Sequence, residues 1–369
     1  MVEELTGRAV LSLSQLLSTI YSFIPDPDRV HAIEPLGDGN INATYLVTFM
    51  DRSPLVVQRL NESVFPDPIG VARNVALVTS YLSKRWSLDS GRYQFCRFPR
   101  TFEFQDGRSW FEDQSGGIWR CLSYIDNGVS YPCVVSNDQP AEAGRMLGCF
   151  HALMESFDSS VLVDPLPGFH NLKNYRGSYL EALDCNRRSE NAEFHYCLEM
   201  IEDRLESLTL EERIEEDKIR RRVIHGDPKC DNFLFDRESG QALALIDLDT
   251  VSQGLLAVDI GDCLRSFCNP AGEKAGSDIV FDIHICNQLL KGYLKSFDLS
   301  RSERNLIYHG VRLLTYELGL RFFTDHLNDD RYFRITREGE NLQRAGIQFK
   351  LLESIEKQRS AIEKSAGIV

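Results

Sequence analysis

Residues 223–236 read VIHGDPKCDNFLFD. Two apolar runs, Val223–Ile224 and Phe233–Phe235, enclose eight residues from His225 to Asn232. A reversal of the chain needs only about two to five residues. This loop is therefore read as one that carries chemical groups. Asp227 and Asn232 stand five apart within it, and Asp247 follows in ALALIDLDTV, residues 242–251. A carboxylate that takes a hydroxyl proton, an amide oxygen on a metal and a second carboxylate on that metal are what phosphoryl transfer from ATP requires. Mg2+ accepts few protein ligands and completes its shell with water and phosphate oxygens. Two ligands from neighbouring loops suit it.

Working outward, LGDGNIN at 36–42 places Gly37 and Gly39 ahead of a β-rich run, Thr44–Phe49. Glycines let backbone N–H groups approach phosphates, although a tight hairpin explains them as well. A second β-run, Pro54–Arg59, ends in a cation able to reach phosphates. Residues 69–85 have helical spacing. Further strands are expected at Gln94–Phe104, Ser109–Glu112 and in IWRCLSYI, 118–125. An amphipathic helix is expected over 9–23. From Ala141 the texture turns helical, through 172–222 and again over 275–369. This predicts an α+β chain with a β-rich unit, 1–125, and a mainly helical unit, 126–369.

Bulk properties narrow the function classes. The 369 residues carry a net charge of −14, which argues against nucleic-acid or anionic-membrane binding. Ten cysteines are scattered with no C-x-x-C pair, so a zinc ribbon is not expected. Free thiols fit a reducing, cytoplasmic setting. The acidic start MVEELTGRAV lacks signal-peptide character, and no apolar run is long enough for a membrane span.

Together these segments resemble the aminoglycoside phosphotransferase / choline kinase superfamily, which shares the two-lobe protein-kinase-like fold. The pattern H-G-D-x-x-x-x-N is present as His225, Gly226, Asp227 and Asn232, and I-D-x-D as Ile246, Asp247, Leu248 and Asp249. GDGNINATYLV, VVQRLNESVFPDP and LTYELGLRFFTDHLNDDRYF look like the N-acetylhexosamine 1-kinase branch. The resemblance implies ATP and Mg2+ as cofactors and an amino sugar as acceptor. It implies Asp227 as catalytic base, Lys229 as a contact to the transferring phosphate, and Asn232 and Asp247 as metal ligands. Gly37, Gly39 and Arg59 would hold the nucleotide, and the 118–125 strand would be the hinge. Asn40, Arg321 and Tyr332 would meet the sugar. Arg59 stands where the superfamily usually has lysine, and Asn40 where the branch often has histidine. The 69–85 helix holds no acidic residue to pair with the strand cation.

Plainer readings compete at several positions. Asp and Asn also serve ordinary turns, but His225-Gly226 and the spacing weigh against that at the loop. His225 is read as a brace of the loop and not as a proton carrier. Asp259 and Asp262 are read as loop-bracing groups or helix caps, and Arg321 also lies one helical turn after Glu317. Two rival functions remain: a kinase for cationic acceptors, which needs a carboxylate-rich cleft, and a nucleotide-binding pseudokinase.

Overall fold

The computed structural model describes residues 13–24, 27–37, 41–88, 90–93, 95–104, 106–185, 191–204, 219–272 and 278–368. Gly39 and Asn40 lie outside the described residues, as do residues 9–12 of the expected first helix.

The small lobe is a five-stranded antiparallel sheet in the order β1-β2-β3-β5-β4. Its strands are β1 (Val30–Pro35), β2 (Ala43–Phe49), β3 (Leu55–Arg59), β4 (Phe111–Glu112) and β5 (Ile118–Ser123). Alternation along β3 and β5 divides the side chains between two faces. Val57, Trp119 and Cys121 point outward, where helix α1 (Leu13–Phe23) covers them. Leu16 and Ile20, one helical turn apart, and Ile24 just beyond the helix fill that layer. Each such burial contributes about 1.5–3 kcal/mol. The expected strand over Gln94–Phe104 does not form among the described residues; its remnant is one bridge, Thr101 to Leu122. Phe102 N donates to Cys121 O and Arg100 O accepts from Ser123 N around that bridge, while Arg97 N donates to Leu243 O and Phe104 N to Arg108 O, so only the middle of the segment pairs with β5. Helix α2 (Pro68–Leu88) links the lobes, and the single turn α3 (Ser90–Tyr93) follows it.

The large lobe is mainly helical: α4 (Gln139–Met154), α5 (Leu172–Cys185), α6 (Ala192–Glu202), α7 (Leu256–Phe267), α8 (Ile283–Ser296), α9 (Arg301–Leu327), α10 (Glu340–Lys357) and α11 (Arg359–Ser365). A capping box formed by Ser300 and Glu303 starts the 27-residue α9. Helices α7 and α9 touch backbone to backbone. A Cβ on Gly261 would lie 2.5 Å from the carbonyl carbon of Gly310, and one on Gly310 would lie 2.1 Å from Ala257 O. Two small sheets hold the loops between these helices. One pairs β7 (Arg222–Ile224) with β10 (Ser252–Gly254), and the other runs β6 (Gly128–Val129), β8 (Phe233–Asp236), β9 (Ala242–Leu245).

Candidate active site

Strand register brings the candidate residues together. The β8–β9 hairpin pairs Phe233 with Leu245. One step further, Ile246 N donates to Asn232 O at 2.8 Å, which sets Asn232 beside the backbone leading into Asp247. Across the other ladder, Ile224 pairs with Ser252, so the loop after β7 and the loop before β10 face each other.

The loop from His225 to Asn232 is braced from below. Asp259, fully buried on α7, accepts the N–H of His225 at 2.6 Å and of Gly226 at 2.8 Å. Its Oδ2 also sits 2.9 Å from His151 Nε2. Thr250 Oγ1 donates to His225 O, and Ser266 Oγ accepts the N–H of Cys230. Gly226 has φ +89°, and a Cβ there would meet Thr250 O at 2.6 Å, so glycine is required. His225 Nε2 donates to Ile246 O at 2.9 Å, while Nδ1 accepts the N–H of Asp227. Burial holds its pKa below the ordinary histidine value. It is a neutral brace between the two loops.

Asp227 is partly exposed at the top of this loop. Its Oδ2 lies 2.7 Å from Lys229 Nζ, and Asn232 Nδ2 donates to its carbonyl at 2.7 Å. Burial pushes the carboxyl up, but the charge and hydrogen bond of Lys229 more than offset this and hold it below the usual range. Asp227 is thus ionised at neutral pH and acts as a hydrogen-bond acceptor. With its nitrogen committed, Asn232 has its amide oxygen left for a metal. Asp247 occupies the left-handed region, φ 65°, ψ 59°, a strained conformation for a side-chain-bearing residue. Burial, and then the charge of Asp249, push its carboxyl up to about 7. A divalent cation there would relieve that repulsion. Among the described residues no three His, Cys, Asp or Glu form a ready-made cage. One carboxylate and one amide oxygen fit Mg2+ that takes its other ligands from phosphate and water.

The structure places Arg59 differently from the sequence expectation. Arg59 pairs with Trp119 across the β3–β5 ladder, so both lie on the outer face. Its Nε is 3.8 Å from Asp113, whose carboxylate also accepts Trp119 Nε1–H. Gln58, one residue earlier, holds the inner face opposite Arg120. Arg120 donates to Gln58 Oε1 and to Asp249 Oδ1. Neither Arg120 nor Asp113 was picked out in the sequence. Counting parity along IWRCLS would have put Arg120 inward, and the apolar run concealed it. Gly37, with φ 70°, ends the described part of the glycine loop.

Arg321 and Tyr332 line one cavity of about 380 Å³, with Phe169, Tyr175, Asp325 and Phe333. Four rings surround the Arg321 guanidinium: Phe169, Tyr175, Tyr332 and Phe333, with centroids 5.2–5.8 Å away. Its Nη1 is also 3.9 Å from Glu317, the helical neighbour expected from the spacing. Asp325 accepts the backbone N–H groups of Tyr332 and Phe333, each at 2.8 Å. Asp227 does not line this cavity. His170 joins the two regions: Nε2 donates to Gly226 O at 3.0 Å, and Nδ1 is 3.0 Å from Glu317 Oε1.

A small antiparallel sheet over a helical lobe, with Asp227, Lys229 and Asn232 on one braced loop and Asp247 on the next, is the arrangement of the kinase-like class of small-molecule phosphotransferases. The chain belongs to the phosphotransferase enzyme family, whose profile matches residues 32–284. Solved structures share the fold. An aminoglycoside phosphotransferase from Alicyclobacillus acidocaldarius aligns with TM-score 0.64 and 15% identity over 99% of this chain and 100% of that one. A choline/ethanolamine kinase family protein from Mesorhizobium loti gives 0.59 and 14%, over 97% and 100%. An amicoumacin kinase in complex with AMP-PNP, Ca2+ and Ami gives 0.58 and 15%, over 96% and 94%. No described helix is long and apolar enough to cross a membrane.

Proposed function

We propose that the protein transfers the γ-phosphate of ATP to a neutral sugar hydroxyl, the C1 hydroxyl of an N-acetylhexosamine. The observation that carries the acceptor choice is the arginine inside the aromatic cavity beside the catalytic loop. Aromatic rings offer faces to the C–H side of a sugar, and Arg321 and Tyr332 offer donors to its oxygens. A buried guanidinium repels an ammonium. Of the carboxylates nearby, Asp325 accepts two backbone amides and Glu317 Oε1 is engaged with His170, while among the described residues Glu317 Oε2 is buried without a hydrogen-bond partner. In this reading Asp227 accepts the hydrogen bond of the acceptor hydroxyl and takes its proton as the bond to phosphorus forms. Lys229 turns from Asp227 toward the transferring phosphate. Asn232 and Asp247 hold Mg2+, which when bound neutralises charge on the phosphate oxygens. Gly37 belongs to the loop over the nucleotide.

A cationic acceptor is the second reading. It is favoured by the solved neighbours, which include an aminoglycoside phosphotransferase and a choline/ethanolamine kinase family protein. ADP release with ATP and Mg2+ on N-acetylglucosamine, N-acetylgalactosamine, free hexosamines, choline and kanamycin separates the two. Turnover is expected on an N-acetylhexosamine, with loss of its reducing end; turnover confined to choline or kanamycin overturns the sugar assignment. Asp227→Asn should lower kcat about 10²–10⁴-fold on whichever acceptor is used.

A further inference from the structure

Kinase-like sites commonly rest on an ion pair between a strand cation and an acid of the following helix. This small lobe is built otherwise. Helix α2 carries no acidic residue, Arg59 faces outward to Asp113, and the inner end of β3 is the neutral Gln58. The inner face nevertheless holds a buried cation, on β5. Arg120 is 1% exposed and Asp249 3%. Taking two such charges out of water is costly, and a well-packed apolar pair is often at least as stable. The pair therefore calls for a reason beyond stability.

Its connections suggest one. Asp249 stands two residues after Asp247. Both its oxygens are taken: Oδ1 by Arg120, and Oδ2 by Asn42 Nδ2 at 2.5 Å. Asn42 lies just past the glycine loop, and its Oδ1 accepts the N–H of Asn61, whose own side chain donates to Ile41 O. Gln58 accepts two N–H groups of Arg120 and donates to Thr44. The end of the glycine loop, β2, β3 and β5 thus all converge on one carboxylate of the metal loop. Among the described residues Arg120 Nη1 has no hydrogen-bond partner and is shielded from solvent, and the acceptors of the guanidinium are Gln58 and Asp249.

We propose that Arg120 and Asp249 form the strut that carries the position of the small lobe to the metal loop, as positioning residues for a magnesium–nucleoside triphosphate, with Asp249 taking no part in coordination. The strut does the work of the missing strand-to-helix pair, but it joins β5 directly to the loop of Asp247. This rests on the family assignment and on Mg2+ at Asn232 and Asp247, and not on the identity of the acceptor.

The test is calorimetric binding of a non-hydrolysable ATP analogue, with magnesium and with EDTA, and no acceptor present. Arg120→Met should weaken binding about 10- to 100-fold in magnesium, as loss of a partner that orients a metal site does. In EDTA the change should stay under about twofold, because the strut acts through the metal loop. Arg120→Lys should recover part of the loss. Asp249→Asn should match Arg120→Met, and the double variant should add little, because coupled partners are not additive. Unchanged affinity in magnesium overturns the proposal. So does an equal loss with and without the metal, or losses that simply add. If Arg120→Met does not fold, Asp249→Asn, which keeps the shape of the side chain, carries the same comparison. A sugar acceptor that proves wrong leaves these measurements untouched.

Discussion

The catalytic loop and the cavity beside it are held by opposite means. The loop is fixed by directed bonds: Asp259 and Thr250, both buried, and the half-buried Ser266 bond its backbone from below. The cavity gathers four rings around one guanidinium, with directed bonds at the backbone of Tyr332 and Phe333, and Tyr332 at its rim is left 58% exposed. Directed bonds tolerate no substitution without leaving a buried group unpaired. Packed rings can be exchanged for others of similar volume. In the proposed reading, chemistry and acceptor choice therefore sit on parts of the chain with different tolerance.

The largest effect that would break this contrast is at the brace. Asp259→Ala leaves two backbone N–H groups and His151 without their acceptor, at roughly 1–3 kcal/mol per group, so a loss of about 3 kcal/mol or more is expected in chemical denaturation. A loss no larger than that of a surface substitution would mean the loop does not depend on directed bonds. The cavity should respond in a different quantity. Arg321→Met should raise KM for the acceptor about 10- to 100-fold, the worth of one charge-assisted hydrogen bond of roughly 1.5–3 kcal/mol. KM for ATP should not move, and if both rise together the two regions are not separable.

His170, which touches both regions, gives the smallest and sharpest test. Burial pushes its pKa down, but the charge and hydrogen bond of Glu317, with the Gly226 carbonyl, carry it above the ordinary 6.5. A raised folded-state value means that its contribution to stability is complete below the unfolded pKa. That contribution is lost as pH rises through the folded one. Stability should therefore decline as pH rises above about 6.5, and His170→Gln should flatten that part of the profile. An unchanged profile would show that the joint carries no charge.

The catalytic loop was legible in the sequence because its groups lie within one short segment. The distance from Asp227 to Asn232 is fixed by local chain geometry. The β8–β9 hairpin that seats Asp247 beside them follows from two apolar runs around a turn. The fold class was legible for the same reason, from one β-rich and one helical texture. Arg120 was not, because its meaning depends on strand parity and on Asp249, 129 residues later. The outward turn of Arg59 is equally a matter of parity. The Gln94–Phe104 run has strand composition, but only Arg100–Phe102 pairs with β5, while Arg97 and Phe104 on either side turn to Leu243 and Arg108. The role of His170 needed Gly226 and Glu317, both far along the chain. Asn40 and Gly39 lie outside the described residues.

The glycine contact between α7 and α9 has a consequence for the size of molecule the protein can take. Helix α7 carries the Asp259 that anchors the catalytic loop, and α9 carries Glu317 and Arg321 of the cavity wall. Gly261 and Gly310 seat the two backbones directly on each other, with no side chain between them to repack. In the proposed reading, the span from base to cavity wall is thereby a fixed gauge. Longer or shorter acceptors would be selected by exchanging the residues that line the gauge, such as Phe169 or Tyr332, while the helices that set it stay where they are.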